Sequence, residues 1–273
     1  MMETTNREAY GAAADKLAEF SASADVQRIA TAADEILAVA DLLRREPRLR
    51  RALADPARPA EERSGLISSI LTGKVGDESV GLVAALVSGR WSGPGALLDG
   101  TERLGVDALL SAADRAGELA DVEDELFRFS QIVSGDPRLA GALSDSTSPM
   151  SSRVELVGDL LKGKAKPATL GLARLAVAGF GGRGFDSSVN RLVELAAAKR
   201  DQSVAYVTTA VPLSDAEEDR LAARLAELYG RGVSVKVDVD PRIIGGMRVK
   251  VGSDLYDGTV SRRLAEAKTA LAK

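Results

Sequence analysis

Along most of the chain apolar residues return with helical spacing. Ile29, Ala33, Ile36, Leu37, Ala40 and Leu43 share one face of a helix, and Pro47 ends it by excluding the α conformation at Glu46. Leu119, Val122, Leu126, Phe129 and Val133 repeat that face ahead of Pro137. Leu66, Ile67, Ile70 and Leu71 form a further stripe, stopped by Gly73, a residue free to take the left-handed conformation of a helix end. Near position 200 the period drops to two. Residues 203–213 read as a strand. Val233, Val235, Val237 and Val239 alternate with Ser234, Lys236 and Asp238 as in a half-buried second strand, and Met247, Val249 and Val251 alternate with Arg248 and Lys250 in a third. Between the first two lies a helix with a Ser214/Glu217 capping box, Leu221, Leu225 and Leu228 on one face, and Gly230 as its stop. A last helix is predicted over 259–272, with Val260, Leu264, Ala267 and Leu271 on its inner face. Gly245-Gly246 supplies the freedom to turn between the second and third strands.

The helical part contains a duplication. The stretch EPRLRRALADPARPAEERSGLISSILTGK from Glu46 aligns with DPRLAGALSDSTSPMSSRVELVGDLLKGK from Asp136, at an offset of 90 positions without a gap. Pro47, Leu49, Ala52, Leu53 and Asp55 fall on Pro137, Leu139, Ala142, Leu143 and Asp145; Arg63, Leu66, Leu71, Gly73 and Lys74 fall on Arg153, Leu156, Leu161, Gly163 and Lys164. The register continues through Gly81, Leu82 and Gly89 to Gly171, Leu172 and Gly179. Matches at Pro, Asp, Gly and Lys weigh more than those at Ala and Leu, which an Ala/Leu-rich chain gives easily. The expected fold is α+β, mainly α: two similar helical bundles at 1–105 and 106–200, then a small β-α-β-β-α domain at 201–273.

Composition narrows the chemistry. Of 273 residues, 45% are hydrophobic and 28% charged, enough for a core inside a wet surface. With a formal net charge of -4 the surface as a whole does not attract a polyanion, so nucleic acid is not expected as a partner. The chain has neither Cys nor His, which removes thiolate and imidazole metal sites and every Ser-His or Cys-His nucleophile; no cofactor, metal or catalytic residue is expected. The opening residues mix acids with bases and do not read as a signal or transit peptide, and the apolar stretches fall far short of the roughly 20 residues that cross a bilayer, so a membrane would be reached only through partners.

The stretch VDPRIIGGMRVKVGSDLYDGTVSRRLAEAKTAL resembles the C-terminal signature of the ATP synthase delta/OSCP family: Asp-Pro, an apolar pair and a double glycine, a strand ending in Gly, then Asp-Gly-Ser-Val and a Leu-bearing helix. Asp240, Pro241, Gly245, Gly246, Gly252, Asp257, Gly258, Val260 and Leu264 fit it, with Thr259 in place of Ser, which keeps a hydroxyl for the helix cap. Upstream, AVPLSDAEEDRLAARL is similar to the strand, Pro-Leu and helix ahead of that signature, and REAYGAAADKL to the family's opening helix. The familiar plan has one helical domain where this chain has two copies, a length that looks like the actinobacterial branch. The resemblance implies a non-catalytic stator subunit of an F-type ATP synthase. Its helical part would grip N-terminal segments of the alpha subunits of the catalytic head, and its last domain would hold the b subunits of the peripheral stalk, at the cytoplasmic face of the cell membrane. A helical-repeat scaffold or regulatory adapter outside ATP synthase is the alternative, and the combined spacing of the C-terminal signature argues against it.

Several other features have plainer readings. GFGGRGF at 179–185 follows a helix and lacks a Gly-Lys-Ser/Thr ending, so it is an interhelix loop before it is a phosphate cradle. Glu61, Glu62, Glu217 and Glu218 sit at helix starts, where the macrodipole favours them. The cluster of Arg44, Arg45, Arg48, Arg50 and Arg51, absent from most of the aligned places of the second copy, and Trp91 beside Gly93-Pro94-Gly95 are candidate interface residues; a solvated helix end and a bundle cap are the competing readings.

Overall fold

The computed structural model describes residues 4–145, 147–200, 202–230, 232–251 and 254–264. Eleven helices come first: α1 (Thr4–Ser23), α2 (Val26–Arg45), α3 (Pro47–Leu53), α4 (Ala60–Leu71), α5 (Asp77–Ser88), α6 (Pro94–Arg115), α7 (Leu119–Gly135), α8 (Pro137–Ser144), α9 (Met150–Leu161), α10 (Pro167–Ala178) and α11 (Phe185–Lys199). After them come β1 (Gln202–Thr209), α12 (Asp215–Tyr229), β2 (Gly232–Val239), β3 (Met247–Val251) and β4 (Asp254–Asp257).

The duplication is visible in side-chain bonds as well as in helix order. Gly73 and Gly163 both take positive φ, 76° and 70°, at the ends of α4 and α9. Glu35 on α2 accepts from the Gly76 N–H at 3.0 Å and the Ser79 hydroxyl at 2.6 Å, fixing the start of α5. Glu125, 90 positions later, accepts from the Lys166 N–H at 2.8 Å and the Thr169 hydroxyl at 2.5 Å at the start of α10. A carboxylate held at a helix N-terminus satisfies N–H groups that have no partner within the helix. Arg63 and Arg153 each reach back to the carbonyl that ends the short preceding helix, Leu53 at 3.5 Å and Leu143 at 3.2 Å.

At the same offset α6 corresponds to α1, and α11 to α6. Helix α6 is therefore the last helix of the first copy and the first of the second, and position 105, where the two copies were divided, lies inside it. Buried residues run along most of it: Leu97, Gly100, Thr101, Glu102 and Leu104 to Val106, then Ala108 to Ala113, leaving the Asp99, Arg103 and Asp107 side more open. Two of its glycines admit neighbours where a Cβ would collide, Gly100 against the Trp91 ring at 2.2 Å and Gly105 against Leu37 at 2.5 Å. One apolar core, from Ala9 to Val204, runs through both copies.

The sheet has the order β2-β1-β3-β4, with β1 parallel to β2 across the α12 crossover and antiparallel to β3. Ala205, Val207, Val233, Val249 and Val251 pack with Leu225 of α12 on one face. The other face of β1 carries Val204, which joins the helical core, and Tyr206, whose ring lies 6.4 Å from that of Phe127 on α7. Strand β4 was not anticipated: DLYD is short and half charged, and it becomes a strand by pairing with β3. Strand β1 stops at Thr209, four residues early, where its pairing with the last residue of β2 and the first of β3 ends; the Thr209 hydroxyl donates to the Val211 carbonyl. Three apolar assignments also change. Leu228, placed on one face of α12 with Leu221 and Leu225, is 64% exposed, and in the last helix, helical over residues 260–264, Val260 and Leu264, both placed on its inner face, are exposed. Residues Ala267 and Leu271 lie outside the described residues.

Candidate functional site

The signature residues converge on one corner of the C-terminal domain, where two loops are stitched together. The Gly258 N–H donates to the Met247 carbonyl at 2.9 Å, and the Val260 N–H to the Gly245 carbonyl at 3.0 Å. Gly246 has φ +81, and a Cβ there would meet the Gly258 carbonyl oxygen at 2.4 Å. The double glycine and the Asp-Gly of the signature thus meet: two backbones touch, Gly246 has no room for a side chain, and a Cβ at Gly258 would lie a tight 3.3 Å from the Met247 carbonyl oxygen.

The two signature carboxylates organise the turns on either side. Asp240, following β2, accepts from the Arg242 N–H at 3.0 Å and from its guanidinium at 2.9 and 3.0 Å. These bonds, the side-chain one foremost, hold its pKa below the ordinary carboxylate value. Pro241 occupies the second place of that turn, closed by the Ile243 N–H on the Asp240 carbonyl at 3.0 Å. Asp257 accepts from the Thr259 hydroxyl at 2.7 Å and N–H at 3.0 Å, which lowers its pKa in the same way. The Thr259 hydroxyl in turn takes the Arg262 N–H at 3.4 Å, so the residue standing for Ser does cap the last helix. Gly252 lies outside the described residues.

Among the described residues the exposed large apolar side chains fall mostly in the C-terminal domain. Val211, Leu228, Val239, Ile244, Leu255, Tyr256, Val260 and Leu264 are exposed in the C-terminal domain, against Val26, Ile132 and Met150 on the much longer helical part. The signature forms the frame on which Ile244 and Leu255 are held out.

The other candidates are placed differently. Trp91 is buried at 5% exposure, its ring on Gly100 and its N–H on the Leu86 carbonyl at 2.9 Å; it closes the bundle and presents no face to a partner. Arg44 turns inward to Glu102 on α6 at 2.6 Å, and Arg45 pairs with Asp41. Arg48 is exposed in the first turn of α3. Arg44 is thus turned to the core by Glu102, while Arg45 and Arg48 stay at the surface of the α2–α3 corner. Sequence gave no signal for Glu102, which is buried at 2% and also accepts the Gly181 N–H at 2.7 Å, tying the 179–185 loop to the first copy. That loop is the interhelix connection expected, with Gly179, Gly181 and Gly182 at positive φ.

Among the described residues no cluster of three His, Cys, Asp or Glu is placed to hold a metal ion, and no helix is long and apolar enough to cross a membrane. A cleft of about 530 Å³ opens between α1, α6 and the 179–185 loop, edged by Arg7, Asp99, Arg103, Arg183 and Arg191. Burial, and then Glu102, raise the Asp99 pKa.

A duplicated helical body joined to a small sheet domain, which has its own apolar core and also carries exposed apolar side chains, defines the class by its architecture. Comparison with known proteins makes this specific. The family described as ATP synthase delta (OSCP) subunit matches residues 106–271. "ATP synthase subunit delta" of Salinispora arenicola is 57% identical over 273 residues, covering 100% of both chains. The proteins of that name from Salinispora tropica and Streptomyces griseus subsp. griseus are 56% identical over 100% of both chains, and 44% identical over 99% of this chain and 100% of the relative. The chain belongs to the ATP synthase delta (OSCP) subunit family.

Proposed function

We propose that the chain is the non-catalytic stator adapter of an F-type ATP synthase, its helical body bound to N-terminal segments of the alpha subunits of the catalytic head and its C-terminal domain to the b subunits of the peripheral stalk. The observation that carries this reading is the uneven distribution of exposed apolar side chains. A surface bearing Ile244, Leu255, Tyr256 and Val211 on one small domain has the character of a partner site, and the helical body, with few such residues, is separated from it along the chain. The division into units at 1–105, 106–200 and 201–273 follows the same logic, two helical units toward the head and one mixed unit toward the stalk. A protein doing this work resists rotor torque without turning over a substrate, and it meets the cytoplasmic face of the cell membrane only through the complex. The experiment is calorimetric titration of the full chain into catalytic head prepared without its delta subunit, followed by a soluble b-subunit segment. Saturable binding of one chain per head, with stalk binding lost and head binding kept in an Ile244→Glu, Leu255→Glu double variant, is the expected result. Absence of head binding at micromolar concentration would reject the assignment, and a double variant that binds the stalk normally would reject the division of roles.

A further inference from the structure

The register of the duplication singles out one position. Along α2 and α7 the buried faces correspond residue by residue: Ile29 with Leu119, Ala32 with Val122, Ile36 with Leu126, Val39 with Phe129 and Leu43 with Val133. In the middle of this apolar series the fully buried Ala33 is matched by Glu123, also 0% exposed. A carboxylate removed from water at a place the fold elsewhere fills with a methyl group needs compensating charge.

That charge comes from across the junction between the helical body and the C-terminal domain. Arg200, at the end of α11 where the chain passes into the sheet, donates to Glu123 at 2.9 Å. Its counterpart in the first copy is Leu110, again a buried apolar residue. Lys236 of β2 lies 3.1 Å from the same carboxylate and also pairs with Asp124, and the Ser234 hydroxyl donates to Glu123. Ser234 and Lys236 stand opposite Val204 and Tyr206 in the β1–β2 register, so all four point to the helical body. The face of β2 that alternation marks as polar is thus turned inward, with Lys236 at 5% exposure. Tyr206 completes the contact: its hydroxyl donates to the Asn190 carbonyl at 3.3 Å, and burial, then Glu194 and Glu123, raise its pKa.

We propose that Glu123, Arg200 and Lys236 form an ionic clasp that fixes the C-terminal domain in one orientation on the second helical copy. Turning the sheet on the helical body while the two surfaces stay in contact leaves Glu123 or Lys236 buried without its partner, and that penalty gives the contact an angular preference that apolar packing alone lacks. The three are positioning residues: they bind nothing external, and the clasp belongs to the isolated chain, so it stands or falls independently of the stator assignment.

The test uses the full chain, which has no Cys and so accepts a labelled pair at Thr31→Cys on α2 and Arg224→Cys on α12, both exposed. Pulsed electron–electron resonance should give one narrow distance distribution for the parent. Glu123→Gln and Lys236→Met should each broaden it, and trypsin should cut after Lys199 and Arg200 on the order of 100-fold faster, as the loss of one member of a buried pair implies. Lys236→Arg, which keeps the charge, should restore the narrow distribution. Helicity at 222 nm reports whether the helical body stays folded; if Glu123→Gln fails to fold, Lys236→Met with its Arg rescue carries the same comparison. A parent distribution already broad, folded variants matching the parent in distance and cleavage rate, or a Lys236→Arg chain as open as Lys236→Met would each overturn the clasp.

Discussion

The duplication supplies an internal control for the worth of one buried guanidinium. Arg63, exposed at only 3%, donates to the Gly89 carbonyl at 2.8 Å and the Ser88 carbonyl at 3.0 Å, both at the C-terminal end of α5, besides its longer bond to Leu53. Arg153 is half-buried and donates to Leu143 at 3.2 Å. The backbones explain the difference. Gly89 has φ -61, whereas the aligned Gly179 is left-handed at φ 89, so the end of α10 does not repeat the carbonyl arrangement that ends α5. Charge-assisted bonds are worth roughly 1.5–3 kcal/mol each. Arg63→Met, which keeps the aliphatic volume and removes two short ones, should cost about 3–6 kcal/mol on that scale. Arg153→Met, losing one longer bond nearer solvent, should cost about 1 kcal/mol. For chains of this length about 1 kcal/mol moves Tm by roughly 2–4 °C, so melts followed at 222 nm should fall by roughly 6–24 °C for Arg63→Met and roughly 2–4 °C for Arg153→Met. Equal shifts for the two variants, or a shift below about 3 °C for Arg63→Met, would refute the reasoning by showing that water or a rearranged helix end replaces the lost donors.

Three further outcomes follow from particular contacts. Gly246→Ala combines left-handed strain of about 1–2 kcal/mol with a Cβ forced toward the Gly258 carbonyl; exchange of the Gly258 and Val260 amides should accelerate at least about tenfold while the helical body melts as before, and unchanged protection would show that the two loops are not stitched as described. Gly100→Ala drives a methyl into the Trp91 ring and should cost about 1–3 kcal/mol of overpacking with a red shift in the emission of the chain's single Trp; an unshifted spectrum and melt would contradict the packing. Asp145, held by the Thr147 and Ser148 hydroxyls, has its pKa lowered from 3.8 to about 2. A depressed folded value means that its stabilisation is complete above 3.8 and is lost as pH falls through about 2; Thr147→Ala should raise the NMR-titrated pKa toward 3.8, and a value left at about 2 would reject that cause.

The sequence by itself determined the helix pattern, the duplication, the change of period near position 200 and the signature, because each depends on local rules: apolar spacing, proline and glycine punctuation, and turn residues at fixed offsets. It marked Gly246 and Gly258 individually, since each lacks a side chain. Only the tertiary structure decided that they meet, that one helix, α6, serves both copies, and that DLYD becomes a strand. The alternation in β2 correctly separated the valines from Ser234 and Lys236, yet alternation assigns faces without saying what covers them. A polar face met by Glu123 and Arg200 is as buried as an apolar one, and for the same reason the sequence leaves Trp91 open to both readings, partner anchor and bundle cap, until the fold covers it. Burial is a property of what folds back onto a residue, and for Glu102, Glu123 and Lys236 the covering atoms come from 58 to 113 positions away in the chain.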